Sequence, residues 1–445
     1  MGIELRERHH VIILALLSVC IVAGCGDDDP GAAPDADAGT ADADGVDAVA
    51  GDADVDARDV DAADADSGPM PGDNGFVICG LIPQPGAAPS SYAAVVATLD
   101  GSETIDLGAT VSLPPFAACV GDGRTLFVGS GEAPEVTRWE IGEDGTFTRG
   151  NTVSFMGLGI ATISARPGLL QVVSDTKGYY IDVDNLQVVV WNPLTMEITT
   201  TLSFDSAAPE PGQTFGLSPA LRAGDRVVAA GGYGDMATGV LSQTLVMVSI
   251  DVNTDAVNVV ETTTCGGNSN TSVVLADDGW IYASNGARTV ARYRLGTPGT
   301  FPPCLVRFDP AAQAFDPTYR VALGDLTGEP TTGELAIGPG GQLLTLAYNE
   351  TLVPITDATT DAIMLGTPAW QYYAIADPAT ATTATRVESL MPTSGTIATL
   401  EVAGVVYAPR LAMDFSRTVL VNISDIANPV DQLEAPGAIN HVSPL

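Results

Sequence analysis

Short apolar runs alternate with tight clusters of Gly, Asp, Asn and Pro along most of this chain, and the alternation has a period. A turn-rich tetrapeptide leads into an apolar strand at Gly72-Asp73-Asn74-Gly75 before Phe76-Val77-Ile78, and again at Gly121-Asp122-Gly123-Arg124 before Leu126-Phe127-Val128. The same unit returns as Asp175-Thr176-Lys177-Gly178 before Tyr179-Tyr180-Ile181, and as Ala223-Gly224-Asp225-Arg226 before Val227-Val228-Ala229. Three later copies are Asp277-Asp278-Gly279 before Trp280-Ile281-Tyr282, Gly338-Pro339-Gly340-Gly341 before Leu343-Leu344, and Ala403-Gly404 before Val405-Val406-Tyr407. Apolar runs of this length bounded by turn formers read as strands, and recurrence at a fixed spacing reads as a repeat architecture. The strand starts lie 48 to 63 residues apart. Two more strand-like segments follow each copy, as at 136–141 and 146–148, or 187–191 and 196–199. A short strand precedes every copy except the first, as at 116–120, 272–275 and 397–402.

Four strands per unit, a period near 50 and no convincing helical stretch predict an all-β, seven-bladed β-propeller over residues 74–445. The first copy lacks a preceding strand, and the final segment, 438–445, has no later copy to precede. The C-terminal strand is therefore expected to be the innermost strand of the first blade. Such closure removes the open sheet edge and its unpaired backbone groups. A tandem of β-sandwiches would not leave the same one-strand offset at both ends.

The chain ahead of the repeats consists of two different segments. Residues 1–25 place Arg6 and Arg8 before an apolar run at 11–22, which ends in Val22-Ala23-Gly24-Cys25. This is the layout of a secretory signal, too short to span a bilayer as a helix. Its ending resembles the lipobox of bacterial lipoproteins. That resemblance implies that residues 1–24 are removed and that Cys25 is lipidated, an anchor of two or more acyl chains that holds stably to a membrane. Gly26, where an aspartate would signal inner-membrane retention in enterobacteria, points to an outer-membrane lipoprotein, periplasmic or surface-exposed. Residues 26–73 hold sixteen aspartates and one arginine, Arg58, among Ala, Gly and Pro. With no aromatic residue to bury, this stretch is expected to be a disordered acidic tether. As a flexible coil it would reach roughly 35–42 Å. Asp42-Ala43-Asp44-Gly45 lacks the frame of an EF-hand calcium loop.

Charge and composition exclude whole classes of function. The chain has 55 acidic and 18 basic residues, a formal net charge of −37. Residues 74–445 alone have 37 acids against 15 bases, a net of −22, with Lys177 the single lysine. No basic stripe is available to displace counterions from phosphates, so nucleic acid is excluded as a partner. His9, His10 and His441 are the only histidines. A three-histidine zinc site is excluded, as is any histidine-dependent triad that omits His441. No Gly-x-Ser-x-Gly elbow, phosphate loop or His-Glu-x-x-His occurs.

Four cysteines fall in the repeat region: Cys79, Cys119, Cys265 and Cys304. An exported chain meets an oxidising compartment, and four cysteines allow three pairings. The blade map puts Cys79 and Cys119 in neighbouring blades and has Cys265 and Cys304 flank the fifth. We therefore expect 79 paired with 119, and 265 with 304.

Three groups of residues are candidates for binding. Arg288, Arg292 and Arg294 concentrate in the fifth blade, with Arg292 and Arg294 expected on one strand face and Tyr293 opposite. They are candidates for an anionic ligand, against the commoner reading of a solvated face that balances carboxylates. Tyr179, Tyr180 and Trp191 cluster in the third blade, either as a stacking platform for a planar ligand or as core between blades. Asp251-Val252-Asn253-Thr254-Asp255 has the alternating oxygens of a calcium site but sits where a hairpin turn is expected. No cofactor is expected.

The third-blade segments Ser174-Asp175-Thr176-Lys177-Gly178-Tyr179-Tyr180-Ile181-Asp182 and Gln187-Val188-Val189-Val190-Trp191-Asn192-Pro193 resemble myxobacterial propeller lipoproteins. One member of that family is associated with genes for the siderophore myxochelin. The resemblance implies an envelope binding protein accessory to iron–siderophore uptake. The chain is expected to act as a monomer, with a small molecule or an envelope protein as its partner. A protein-interaction scaffold and a polysaccharide hydrolase or lyase remain the alternatives.

Overall fold

A computed structural model describes residues 75–445 except 85, 102, 164–167, 236–239, 269 and 396–398. The signal segment, the lipidation candidate Cys25 and the acidic tether lie outside the described residues.

Seven antiparallel sheets follow one another along the chain, each a blade of the ring. Every turn-led apolar segment in the sequence becomes the second strand of a blade: Phe76–Gln84, Thr125–Gly129, Lys177–Asp182, Arg226–Gly234, Ile281–Ser284, Leu343–Tyr348 and Val405–Leu411. These strands are buried on both faces because they lie between neighbouring blades. Hence they read as continuous apolar runs, where a half-buried strand would alternate. The gradient reverses outward. Glu197–Ser203, the outer strand of blade 3, is exposed at nearly every position and is rich in threonine. In blade 4 the inner strand is split, Thr214–Leu217 and Leu221–Ala223 both pairing with the second strand.

Blade 1 joins the two ends of the described chain. Ala438–Pro444 pairs with Phe76–Gln84 as the inner strand, and the Leu445 amide donates to the Gly75 carbonyl at 2.8 Å. The register slips by one residue at Asn440, whose side-chain amide donates to the Ala117 carbonyl at 3.0 Å. On the same strand, His441 Nε2 accepts the Gly121 amide at 3.0 Å, so the closing strand is tied to blade 2 as well. A side chain at Gly121 would collide with Ser443, which explains the glycine there.

Both expected disulfides are present. Cys79–Cys119 links blade 1 to the inner strand of blade 2, with 6.5 Å between Cα atoms. Cys265–Cys304 spans 5.9 Å and ties the entry of blade 5 to its third strand. Each closes a loop of about 40 residues. Chain-entropy reasoning credits such a bridge with about 4 kcal/mol.

The expectation of no helix fails in the second half of the ring. Among the described residues, three short helices stand there: α1 (Gly286–Arg294), α2 (Leu323–Thr327) and α3 (Asp361–Gly366). α1 occupies the stretch read from sequence as a strand carrying Arg292 and Arg294. Its burial follows a helical period, with Ala287, Val290 and Ala291 inward and Arg288 and Arg292 four residues apart beyond them.

Candidate functional site

Strand order makes the two faces of the ring unequal. One face carries the turns from first to second and from third to fourth strand. It also carries Gly75 and Leu445, where the described chain begins and ends. The opposite face carries the connections from second to third strand and from blade to blade. All three described helices are on this second face, in the connections of blades 5 and 6. These two blades also have the longest connections between second and third strand, 285–303 and 349–369.

The arginine triad is used to fasten these helices together. Arg292 Nε lies 2.9 Å from Asp361 Oδ2 at the start of α3, and Arg288 Nε lies 3.5 Å from the same oxygen. Arg294 makes a bidentate pair with Glu350, at 2.6 and 2.7 Å. The three guanidinium groups therefore clamp α1 to the long connection of blade 6. The expected strand is thus a helix, and its arginines balance carboxylates, the commoner of the two readings. The acids they meet lie 56 to 73 positions later in the chain, and no local pattern announces them.

Beneath α1 the junction of blades 5 and 6 is unusually polar for a core. Asn268, Thr271, Ser272, Ser284, Asn285, Thr289 and Glu334 are all buried. Asn285 organises the entry to the helix: its Oδ1 accepts the Cys304 amide at 2.7 Å and its Nδ2 donates to the Gly266 carbonyl at 2.5 Å. Glu334, on the inner strand of blade 6, accepts the Ala287 amide at 3.0 Å from the first turn of α1. Burial pushes its carboxyl up to about 8, against the opposing pull of the Ala287 amide and the Ser272 hydroxyl. At neutral pH Glu334 is thus largely a neutral acid within a hydrogen-bonded network. Sequence reasoning missed it, because Thr332–Ile337 reads as an ordinary apolar strand with one acidic residue.

The third-blade aromatics are core. Tyr179, Tyr180 and Trp191 are all buried, which leaves no ring face open to a ligand and matches the core alternative over the stacking platform. Trp191 meets Phe127 of blade 2 edge-on at 5.2 Å, and Tyr180 stacks on Phe155 at 5.8 Å. Gly178 packs under the Trp191 indole, where a Cβ would clash. The Tyr179 hydroxyl donates to Asp255 Oδ1 at 2.5 Å, and Lys177 Nζ reaches the same oxygen at 2.8 Å. Asp255 belongs to the segment with calcium-like spacing, which is a turn between two strands of blade 4. Asp251 Oδ1 there accepts the amides of Asn253 and Thr254, both at 3.0 Å. Among the described residues, no group of three metal-ligating side chains comes together.

Exposed apolar side chains are concentrated on the helical face. Of eleven large hydrophobics exposed in the described chain, seven belong to its connections: Met156, Val240, Tyr293, Leu352, Ile363, Met391 and Met413. The two most exposed are Met413 at 77% and Met156 at 75%. On the outer wall between blades 6 and 7 there is also a groove of about 60 Å3, with Tyr372, Ala408 and Val421 among its lining and Met391 beside them.

No family model matches the chain, and no curated protein does. Several solved structures share its architecture at low identity. A Bacteroides fragilis protein provisionally described as a 6-phosphogluconolactonase is 13% identical over 85% of this chain and 99% of its own, with a TM-score of 0.47. A Desulfotomaculum acetoxidans protein of unknown function is 10% identical over 84% of this chain and 100% of its own, also at 0.47. Apo AztD from Citrobacter koseri is 11% identical over 83% and 98%, at 0.42. These likenesses concern the fold alone. A β-propeller is compatible with binding and scaffold roles and does not choose between them.

Proposed function

We propose that this protein is a lipid-tethered docking scaffold of the outer membrane, which holds a partner protein on the helical face of a closed, rigid ring. The observation that carries this reading is the placement of exposed apolar side chains. They gather on the face opposite the one where the described chain begins, so a tether attached there leaves the docking face pointing outward. The methionines among them suit protein contact, since an unbranched, polarisable side chain adapts to an uneven surface. No helix of the described residues is long and apolar enough to cross a membrane, and Cys25 supplies the anchor in this proposal. The iron–siderophore reading loses its candidates. Tyr179, Tyr180 and Trp191 are spent on packing, and Arg288, Arg292 and Arg294 on ion pairs within the ring.

Site-specific photo-crosslinking in intact cells tests the proposal. A photoreactive residue at Met413 or Met156 is expected to give a discrete adduct, and one at Leu194 on the opposite face is expected to give none. Equal labelling from both faces, or none from either, would refute a helical-face docking role.

A further inference from the structure

Deepening the docking reading on which it rests, we propose that the groove between blades 6 and 7 seats one aliphatic side chain of an extended, cationic segment of a partner protein. The base of the groove is rigid. Tyr372, Ala408 and Val421 belong to the hydrophobic core shared by blades 5, 6 and 7. Its walls include Pro392 and Pro409, whose rings are hydrocarbon and which carry no amide N–H to donate to an occupant. Nearby polar groups are already engaged: the Ser389 hydroxyl donates to the Ile426 carbonyl, and the Arg410 guanidinium is paired with Asp431. The anchor itself is held by apolar contact with Tyr372, Ala408, Val421 and the proline rings, beside polar lining that includes Thr393 and Asp431.

Size decides between kinds of occupant. About 60 Å3 is far below the roughly 300 Å3 at which small-molecule sites begin. It is also well below the ~150 Å3 of a cavity that holds benzene. One branched aliphatic side chain fits, as the anchor of something larger that lies outside the groove. Charge decides which larger thing. The region of residues 74–445 has a net charge of −22. At the groove, the Asp431 side chain is 58% exposed, and on the adjoining connection that of Glu388 is 72% exposed. Both carboxylates already pair with arginines, Arg410 and Arg386, yet at this exposure each retains room for a second cation. A second copy of this acidic chain and an anionic lipid surface are both repelled, whereas a segment with lysine or arginine beside its anchor is attracted.

The test uses the full chain in detergent with methyl-13C methionine, following the Met391 signal assigned through Met391→Leu. Two acetylated hexapeptides share a central leucine, one flanked by lysines and the other by glutamates. The lysine peptide is expected to shift Met391 saturably, with an affinity that falls at least threefold between 50 and 300 mM salt, roughly the loss of one or two ionic contacts. Asp431→Asn is expected to weaken it, and Ala408→Val, which narrows the base, to abolish it. Should Ala408→Val unfold the ring, Asp431→Asn together with the salt series still decides. Equal response to both peptides, no response at millimolar peptide, or a response indifferent to Asp431→Asn and salt would overturn the proposal. If Met391 stays silent while Met413 still crosslinks a partner in cells, the groove is excluded and the docking role stands. If Met391 responds and no crosslink forms on the helical face, the groove stands without that role.

Discussion

Glu334→Gln isolates one carboxyl whose protonation is linked to folding. In the folded chain that carboxyl titrates near 8, against 4.5 when free. Between those values the folded chain keeps a proton that the unfolded chain has released, so its contribution to stability falls as pH rises. The contribution is fully present below pH 4.5 and is lost through pH 8. Every tenfold difference in proton affinity between the folded and unfolded chain is worth about 1.36 kcal/mol. Since the chain's isoelectric point is about 4.1, the accessible window starts near pH 5. From pH 5 to pH 9 the loss attributable to Glu334 is about 4 kcal/mol. Other carboxylates titrate too, some held low by their partners, such as Asp316 at about 2 between Thr318 and Arg307. Only the difference between wild type and Glu334→Gln is therefore diagnostic. Urea unfolding of the oxidised protein, followed by tryptophan fluorescence at each pH, measures it. The glutamine keeps the shape and can still accept from Ala287. The difference curve is expected to fall by about 4 kcal/mol across the window. A difference flat to within about 1 kcal/mol, or one that rises with pH, would refute a neutral buried Glu334.

Removing Cys79 and Cys119 together as serines should lower the unfolding free energy by about 4 kcal/mol, read from the urea midpoint, and removing Cys265 and Cys304 should cost about the same. Trp191→Ala should cost about 3–5 kcal/mol through the cavity it leaves. Arg294→Ala, by contrast, removes a partly exposed ion pair and should cost less than about 1 kcal/mol, shrinking further in high salt. Deleting 438–445 should abolish the cooperative unfolding transition by leaving blade 1 without its inner strand, which calorimetry would show as a lost or broadened peak.

The sequence made the ring visible because each blade repeats the same local event, a glycine- or aspartate-rich turn followed by a strand buried on both faces. Ring closure was legible for the same reason, as one strand missing at the start and one left over at the end. Once the blades were placed, the disulfide pairs followed. What escaped was whatever depends on residues of different blades. Arg292 alternates with Tyr293 in a way that mimics a strand, and only the distant Asp361 reveals what it does. The burial of Glu334 depends on α1 of the preceding blade. One signal did exist: the spacings that follow the fifth and sixth copies, 63 and 62 residues, exceed the others by about ten. Those two intervals contain the helices. The aromatic cluster of blade 3 could be read either as a platform or as core, because rings between blades and rings at a ligand site look alike in one dimension, and burial decides for core.

Completion of blade 1 by the last strand also sets a timetable for the newly made protein. Cys79 and His441 are neighbours in the sheet but 362 positions apart in the chain. At about 5–20 residues per second, synthesis would separate their emergence by roughly 20–70 seconds. Throughout that interval Phe76–Gln84 lacks its inner neighbour and presents an open edge. Cys119 lies only 40 positions after Cys79, so once both are in an oxidising compartment the first disulfide can fasten blade 1 to blade 2 without waiting for the closing strand. A chain interrupted anywhere before its final strand keeps that edge bare, which would mark it for chaperones and proteases as unfinished.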